Sequence, residues 1–155
     1  MSRLIGLACL LAACGGADQS SPRGVAEHYV AAMDGGDVDK ALAVIVPRDK
    51  LQEAFDCGAG DALGRALQRA REDLRPNFEG LGRTGMRIRL GAFAAESRTL
   101  TIGDTWRDCT ARMALEVQRA QVTLAFRKGG RDDEESERWD FVRFTADGPW
   151  WLVPR

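Results

Sequence analysis

Met113-Ala114-Leu115-Glu116-Val117 and, further along, Val122-Thr123-Leu124-Ala125-Phe126 decide the fold. In both, apolar residues recur at every second position, the pattern of a strand with one face buried. The phase slips between the two sets, which predicts a bulge near Arg119 to Gln121. Upstream, Met86, Ile88 and Leu90 alternate with Arg87 and Arg89, and Leu100 with Ile102 suggests a shorter strand. Downstream, Gly129 to Glu135 reads as a polar hairpin loop. Trp139, Phe141, Val142 and Phe144 then form a strand, Ala146-Asp147-Gly148-Pro149 a turn, and Trp150 to Val153 the last strand. Everything after Met86 is therefore a run of antiparallel strands.

Before Met86 the period is helical. Ser21 is placed to cap a helix with Pro22 at its first position, where the missing N–H costs nothing. Val25, Tyr29, Ala32 and Met33 share one face of it, and Gly35-Gly36 stops it. Asp37 opens a second helix, which buries Ala41, Leu42, Ile45 and Val46 and ends at Pro47. Asp49 and Gln52 have capping-box spacing for a short further turn. Asp61 starts another helix with Leu63, Ala66, Leu67, Ala70 and Leu74 on one side, ended by Arg75-Pro76. Helices followed by an antiparallel meander indicate an α+β domain with the helices on one sheet face.

The chain has 155 residues, 45% of them hydrophobic and 29% charged, with a formal net charge of −1. That suits one globular domain. No basic block is present, so the electrostatic footprint of a nucleic-acid binder is missing and no nucleic acid is expected as partner.

The N-terminus stands apart. Met1-Ser2-Arg3 is short and positive, and Leu4 to Ala13 is an unbroken apolar run, too short to span a bilayer but suited to a secretory signal. Leu11-Ala12-Ala13-Cys14 resembles the lipobox of bacterial lipoproteins. That resemblance implies a signal over residues 1–13, cleavage before Cys14, and a membrane anchor of lipid on the Cys14 thiol. Residues 14–21 then read as lipidated cysteine and tether, and residues 22–155 as the folded domain. Gly15 follows the cysteine with no acidic residue beside it. By resemblance to Gram-negative lipoproteins this implies the outer membrane, with the domain in the periplasm or at the cell surface.

Once Cys9 leaves with the signal and Cys14 is lipidated, Cys57 and Cys109 remain. In an oxidising envelope they suit a single disulfide. Two buried thiols and a redox pair are the alternatives, although a redox pair usually has C-x-x-C spacing. Two cysteines without neighbouring histidines are too few for zinc, and no metal is expected.

Tyr29-Val30-Ala31-Ala32-Met33-Asp34-Gly35-Gly36-Asp37-Val38-Asp39-Lys40-Ala41-Leu42 resembles the opening of NTF2-like domains. Trp139 to Val153 resembles their final strand pair, while residues 50–83 match poorly. The resemblance implies a cystatin-like cone: a curved antiparallel sheet wrapped around helices, often with an apolar pocket. It also implies that a homodimer through the open sheet face is available. In the ketosteroid-isomerase branch, a tyrosine on the first helix, a carboxylate base and a protonated aspartic acid on a late strand act together. Tyr29, Glu53 and Asp140 stand at or near those places. An apolar pocket would keep such an acid protonated to donate to an enolate while the base moves a proton between carbons.

The residues also have plainer readings. Tyr29 lies on the core face of its helix, Glu53 in a capped polar turn, and Asp140 in an alternating strand. His28, the only histidine, flanks an apolar helix face. Arg65, Arg69 and Arg71 suit a solvated face, and Trp106, Trp139, Trp150 and Trp151 suit the core or a pocket wall. There is no Ser-His-Asp set, no metal spacing and no phosphate loop, so no cofactor is expected. Two functions follow: a non-catalytic envelope module for a small apolar ligand or protein partner, or an isomerase, dehydratase or cyclase using Tyr29, Glu53 and Asp140. The second requires those three groups to share one pocket.

Overall fold

The computed structural model describes residues 16–155. Residues 1–13 and Cys14, on which the signal and lipid anchor were read, lie outside them. Helix α1 (Pro22–Gly35) begins where the Ser21 hydroxyl accepts the Gly24 N–H at 3.0 Å, and Gly36 ends it in the left-handed conformation at φ 68°. The docked chain starts slightly earlier, because Gln19 exchanges two 2.9 Å hydrogen bonds with the Trp150 backbone. Asp34 ties the end of α1 to the sheet, accepting from the Arg87 guanidinium and from the Ile88 N–H at 2.8 Å.

Asp37 caps α2 (Val38–Leu42) by accepting from the Lys40 N–H. This helix is shorter than its sequence suggests. Val44, Ile45 and Val46 leave it and line the last strand instead: the Val46 N–H donates to Leu152 O and the Leu152 N–H to Val44 O. Three consecutive β-branched or apolar residues suit an extended run, and here they satisfy backbone groups that an open sheet edge would strand. Helix α3 (Arg48–Ala54) follows Pro47 without a side-chain cap, so the Asp49–Gln52 capping box does not form.

Helix α4 (Ala62–Thr84) departs most from expectation. Asp61 caps it, as read, but it runs through Pro76 to a left-handed Gly85. Leu63, Leu67, Leu74 and Phe78 are all buried along one stripe, so packing continues past the proline. Pro76 and Glu72 are exposed, and water can take the Glu72 carbonyl that the proline leaves without a donor.

The main sheet has the order β2-β5-β6-β7, all neighbours antiparallel, from β2 (Arg87–Leu100), β5 (Leu115–Lys128), β6 (Arg131–Arg143) and β7 (Trp151–Val153). A smaller sheet joins β1 (Phe55–Asp56), β4 (Cys109–Ala111) and β3 (Thr105–Trp106). The α+β class stands as the sequence indicates. Three details do not. Leu90 and Leu100 belong to one strand, and Ile102 lies beyond it in a turn, 76% exposed. The irregularity lies in β2 between Leu90 and Phe93, opposite Thr123, whereas β5 pairs with β6 without a break from Glu116 to Lys128. The slip in the β5 apolar pattern is thus a change of covered face. The β5–β6 connection is only Gly129-Gly130, both at positive φ, a two-residue turn matched to strand twist. Arg131 to Glu135 are consequently strand residues.

Cys57 and Cys109 form a disulfide, with sulfurs 2.05 Å apart, pinning the small sheet to the segment before α4. The main core lies between the helices and the main sheet, with Val25, Leu67, Val122 and Phe141 almost fully enclosed.

Candidate functional site

The three residues singled out for proton chemistry are not brought together. Glu53 is exposed on α3. Tyr29 and Asp140 border two different clefts.

Tyr29 projects from α1 into an aromatic corner. Its ring meets Trp139 of β6 edge-on at 5.5 Å and Phe78 of α4 at 6.3 Å. Phe78 belongs to the part of α4 beyond Pro76, so the corner exists because the helix continues. Met33, Leu74, Leu81 and Leu124 extend the apolar wall into an open groove of about 670 Å³. Clefts for small molecules run from roughly 300 to 1,000 Å³. Charged side chains rim it: Arg69, Asp73, Glu137, Arg138 and Arg155. The Trp139 indole N–H donates to Glu137 at 2.8 Å. Burial, and then the Glu137 charge, push the Tyr29 phenol up to about 12. Tyr29 therefore carries its proton at any physiological pH and offers a hydroxyl at the groove.

Asp140 is the one charged side chain buried outright among the described residues. In β6 it pairs across with Arg119 of β5, whose Nε–H donates to Oδ1 at 3.0 Å. Arg155 donates to Oδ2 at 3.1 Å, and Arg107 Nε stands 3.8 Å from the same oxygen. With both oxygens taken by arginine donors, Asp140 has none left to donate a proton to a ligand, and the isomerase role read for it does not match its setting. The sequence showed an alternating strand and gave no hint that this position would be covered on both sides: Trp139, Asp140, Phe141 and Val142 are all buried.

Arg107 reaches Asp140 from an unusual turn. Trp106 pairs with Cys109, leaving Arg107 and Asp108 as a two-residue hairpin loop, at φ 49° and 63°. Such turns favour Asn or Gly, because side chains crowd the left-handed region. The Arg107 side chain is 16% exposed and also donates to Val153 O. Burial lowers its pKa from the usual arginine value, with the Asp140 charge opposing that and the Arg155 and Arg119 charges adding to it. Arg107, Arg119, Asp140 and Arg155 border a second cleft of about 380 Å³ beside the first turns of α4. Arg69 and Arg155 border both clefts, so the two adjoin.

The other sequence candidates fall into place. Trp106 and Trp150 are buried, Trp151 is half-buried, and only Trp139 borders the groove. Arg65, Arg69 and Arg71 are exposed, as a solvated face requires, yet Arg69 also lies on the rim of both clefts. His28 is half-exposed, with Nε2 3.1 Å from the Lys40 carbonyl. Phe78, Arg107, Arg119 and Arg155 were not legible as site residues. A continuing helical stripe signals Phe78, but isolated arginines carry no periodic signal. No family model and no curated protein matches the chain.

Proposed function

We propose that this chain is a cell-envelope lipoprotein, anchored through lipid on Cys14, whose domain holds a small apolar ligand in the groove between α1, α4 and β6. The groove carries the reading: about 670 Å³ lined by Tyr29, Phe78, Trp139 and aliphatic side chains, with charged side chains also on its border. Sites for small apolar molecules have this composition, an apolar wall with few polar groups to fix orientation. A non-catalytic role fits better than isomerisation, since Glu53 and Asp140 lie outside the groove. The helices-then-sheet order and the groove against the sheet agree with an NTF2-like cone, and we adopt that family as the fold proposal.

The test is titration of the full chain with an environment-sensitive naphthalene dye, followed by its displacement with alkanols. Saturable binding at one site supports the reading. Leu81→Gln puts a polar amide on a half-buried part of the wall and should weaken binding by at least about tenfold, the scale of one lost apolar contact. Absence of saturable binding, or indifference to Leu81→Gln, would sink it and leave an envelope protein partner as the better reading. The anchor has a separate test: Cys14→Ala should abolish labelling by a tagged fatty acid and free the protein from membranes. A variant that stays membrane-bound would show that Cys14 is not the anchor.

A further inference from the structure

We infer that the ligand is a single-chain amphiphile with an anionic head, its tail in the aromatic groove and its head on the arginine cluster at Arg107, Arg119 and Arg155. The inference rests on the proposed groove function and adds the chemistry of the head.

Three observations carry it. First, the clefts share Arg69 and Arg155 on their borders, so one extended molecule can lie in both. Second, the cluster holds more positive charge than it neutralises. Of the side chains, Arg69, Arg107, Arg119 and Arg155 border the second cleft against Asp108 and Asp140, an excess of two positive side-chain charges. Each guanidinium offers five N–H donors in a planar fork that matches a carboxylate or a phosphate, and one carboxylate cannot occupy three forks. Third, the fold keeps this arrangement against local preference. Arg107 occupies the left-handed region, which Asp108 beside it tolerates but an arginine seldom adopts. The next residue, Cys109, is fixed by its disulfide. Backbone of this kind persists where its surroundings hold it, and here it holds a mostly buried guanidinium on Asp140.

The arrangement also orders the binding. Asp140 gathers the arginines and stays out of the ligand's way, being fully buried with both oxygens bonded. Arg119 and Arg155 remain about half exposed and can turn free N–H groups toward an incoming head. A neutral head gains nothing there. A cationic head would be repelled.

The experiment measures binding of decanoate, decyl phosphate and decanol to the full chain by calorimetry at low salt, each below its micelle concentration. An anion should bind at least about tenfold more tightly than decanol, the preference should shrink with added salt, and the ratio of decanoate to decyl phosphate assigns the head. Arg119→Gln, which lies outside the groove, should remove most of the preference while leaving decanol affinity unchanged, whereas Arg155→Gln, on the border of both clefts, should remove most of the preference and weaken decanol as well. Thermal midpoints report whether each variant is folded. Equal binding of all three amphiphiles would overturn the head assignment and leave the apolar groove standing. An anion preference untouched in both variants would also overturn it, placing the charge elsewhere. If none of the three binds, the groove function falls, and this inference with it.

Discussion

Removing the Cys57–Cys109 disulfide should cost a large part of the domain's stability. The bridge spans a sequence separation of 52, enclosing all of α4 and β2. In the chain-entropy account, a cross-link over a loop of that length restricts the unfolded chain by about 4 kcal/mol at room temperature. Domains are usually stable by only about 5–15 kcal/mol, so the loss is large. For a domain of this size it corresponds to a fall in Tm of about 15 °C. The perturbation is the double variant Cys57→Ala, Cys109→Ala, with reduction of the native protein as a parallel arm. Urea unfolding should show a lower midpoint and a steeper dependence on urea, because the released unfolded chain exposes more surface. The native state should respond locally. β1 pairs with β4 at two positions and β3 with β4 at two, so few ladder bonds support this small sheet beside the burial of Phe55, Trp106 and Ala111. Hydrogen exchange should speed up at Phe55, Trp106 and Ala111 while β5 and β6 stay protected. A loss under about 1 kcal/mol with unchanged urea dependence would refute the reasoning.

Three further outcomes follow from the geometry. Tyr29 is the only tyrosine, so phenolate absorbance reports it alone, and its midpoint should lie near 12. The folded phenol holds its proton above the unfolded value of about 10, so its contribution is fully present below pH 10 and is lost, by up to about 3 kcal/mol, as pH climbs toward 12; a midpoint at 10 would mean the ring is not enclosed. Asp140→Asn removes the one carboxylate among three guanidiniums and should cost about 3 kcal/mol in chemical denaturation. That is the lower end for a broken buried ion pair, because Arg119 and Arg155 are half exposed and can turn to water; a loss below about 1 kcal/mol would mean that Asp140 does not organise the cluster. Pro76→Ala should raise stability by about 2 kcal/mol, since proline inside a helix costs about 3 relative to alanine and restores part of that by stiffening the unfolded chain; a destabilised variant would show that α4 does not run through.

What the sequence made legible and what it hid divide along a physical line. Periodicity is a local signal, and where one face of an element meets one environment it was enough. It found α1 with its Ser21 and Gly36 ends, the Asp61 cap of α4, and the β5, β6 and β7 strands of the main sheet. It misled wherever tertiary packing outweighed a local preference. Pro76 reads as a stop, yet Leu74 and Phe78 carry the buried stripe across it. Val44 to Val46 read as helix, yet β7 needed backbone partners. Asp140 read as one residue of an alternating strand, yet that strand is covered on both sides there. These departures also make the site. The helix beyond Pro76 supplies Phe78 to the aromatic corner. The chain end that follows β7 supplies Arg155 to Asp140. The strand covered twice places Trp139 on the groove and Asp140 under the arginines, one residue apart and facing opposite ways. That alternation is why a single strand can serve both clefts, with an apolar wall on one face and the anchor of a cationic cluster on the other. A ligand spanning the two must therefore pass the margin of β6, where Arg155 stands on both rims. Of the three cluster arginines, Arg155 is accordingly the one whose loss should disturb the placement of tail and head together.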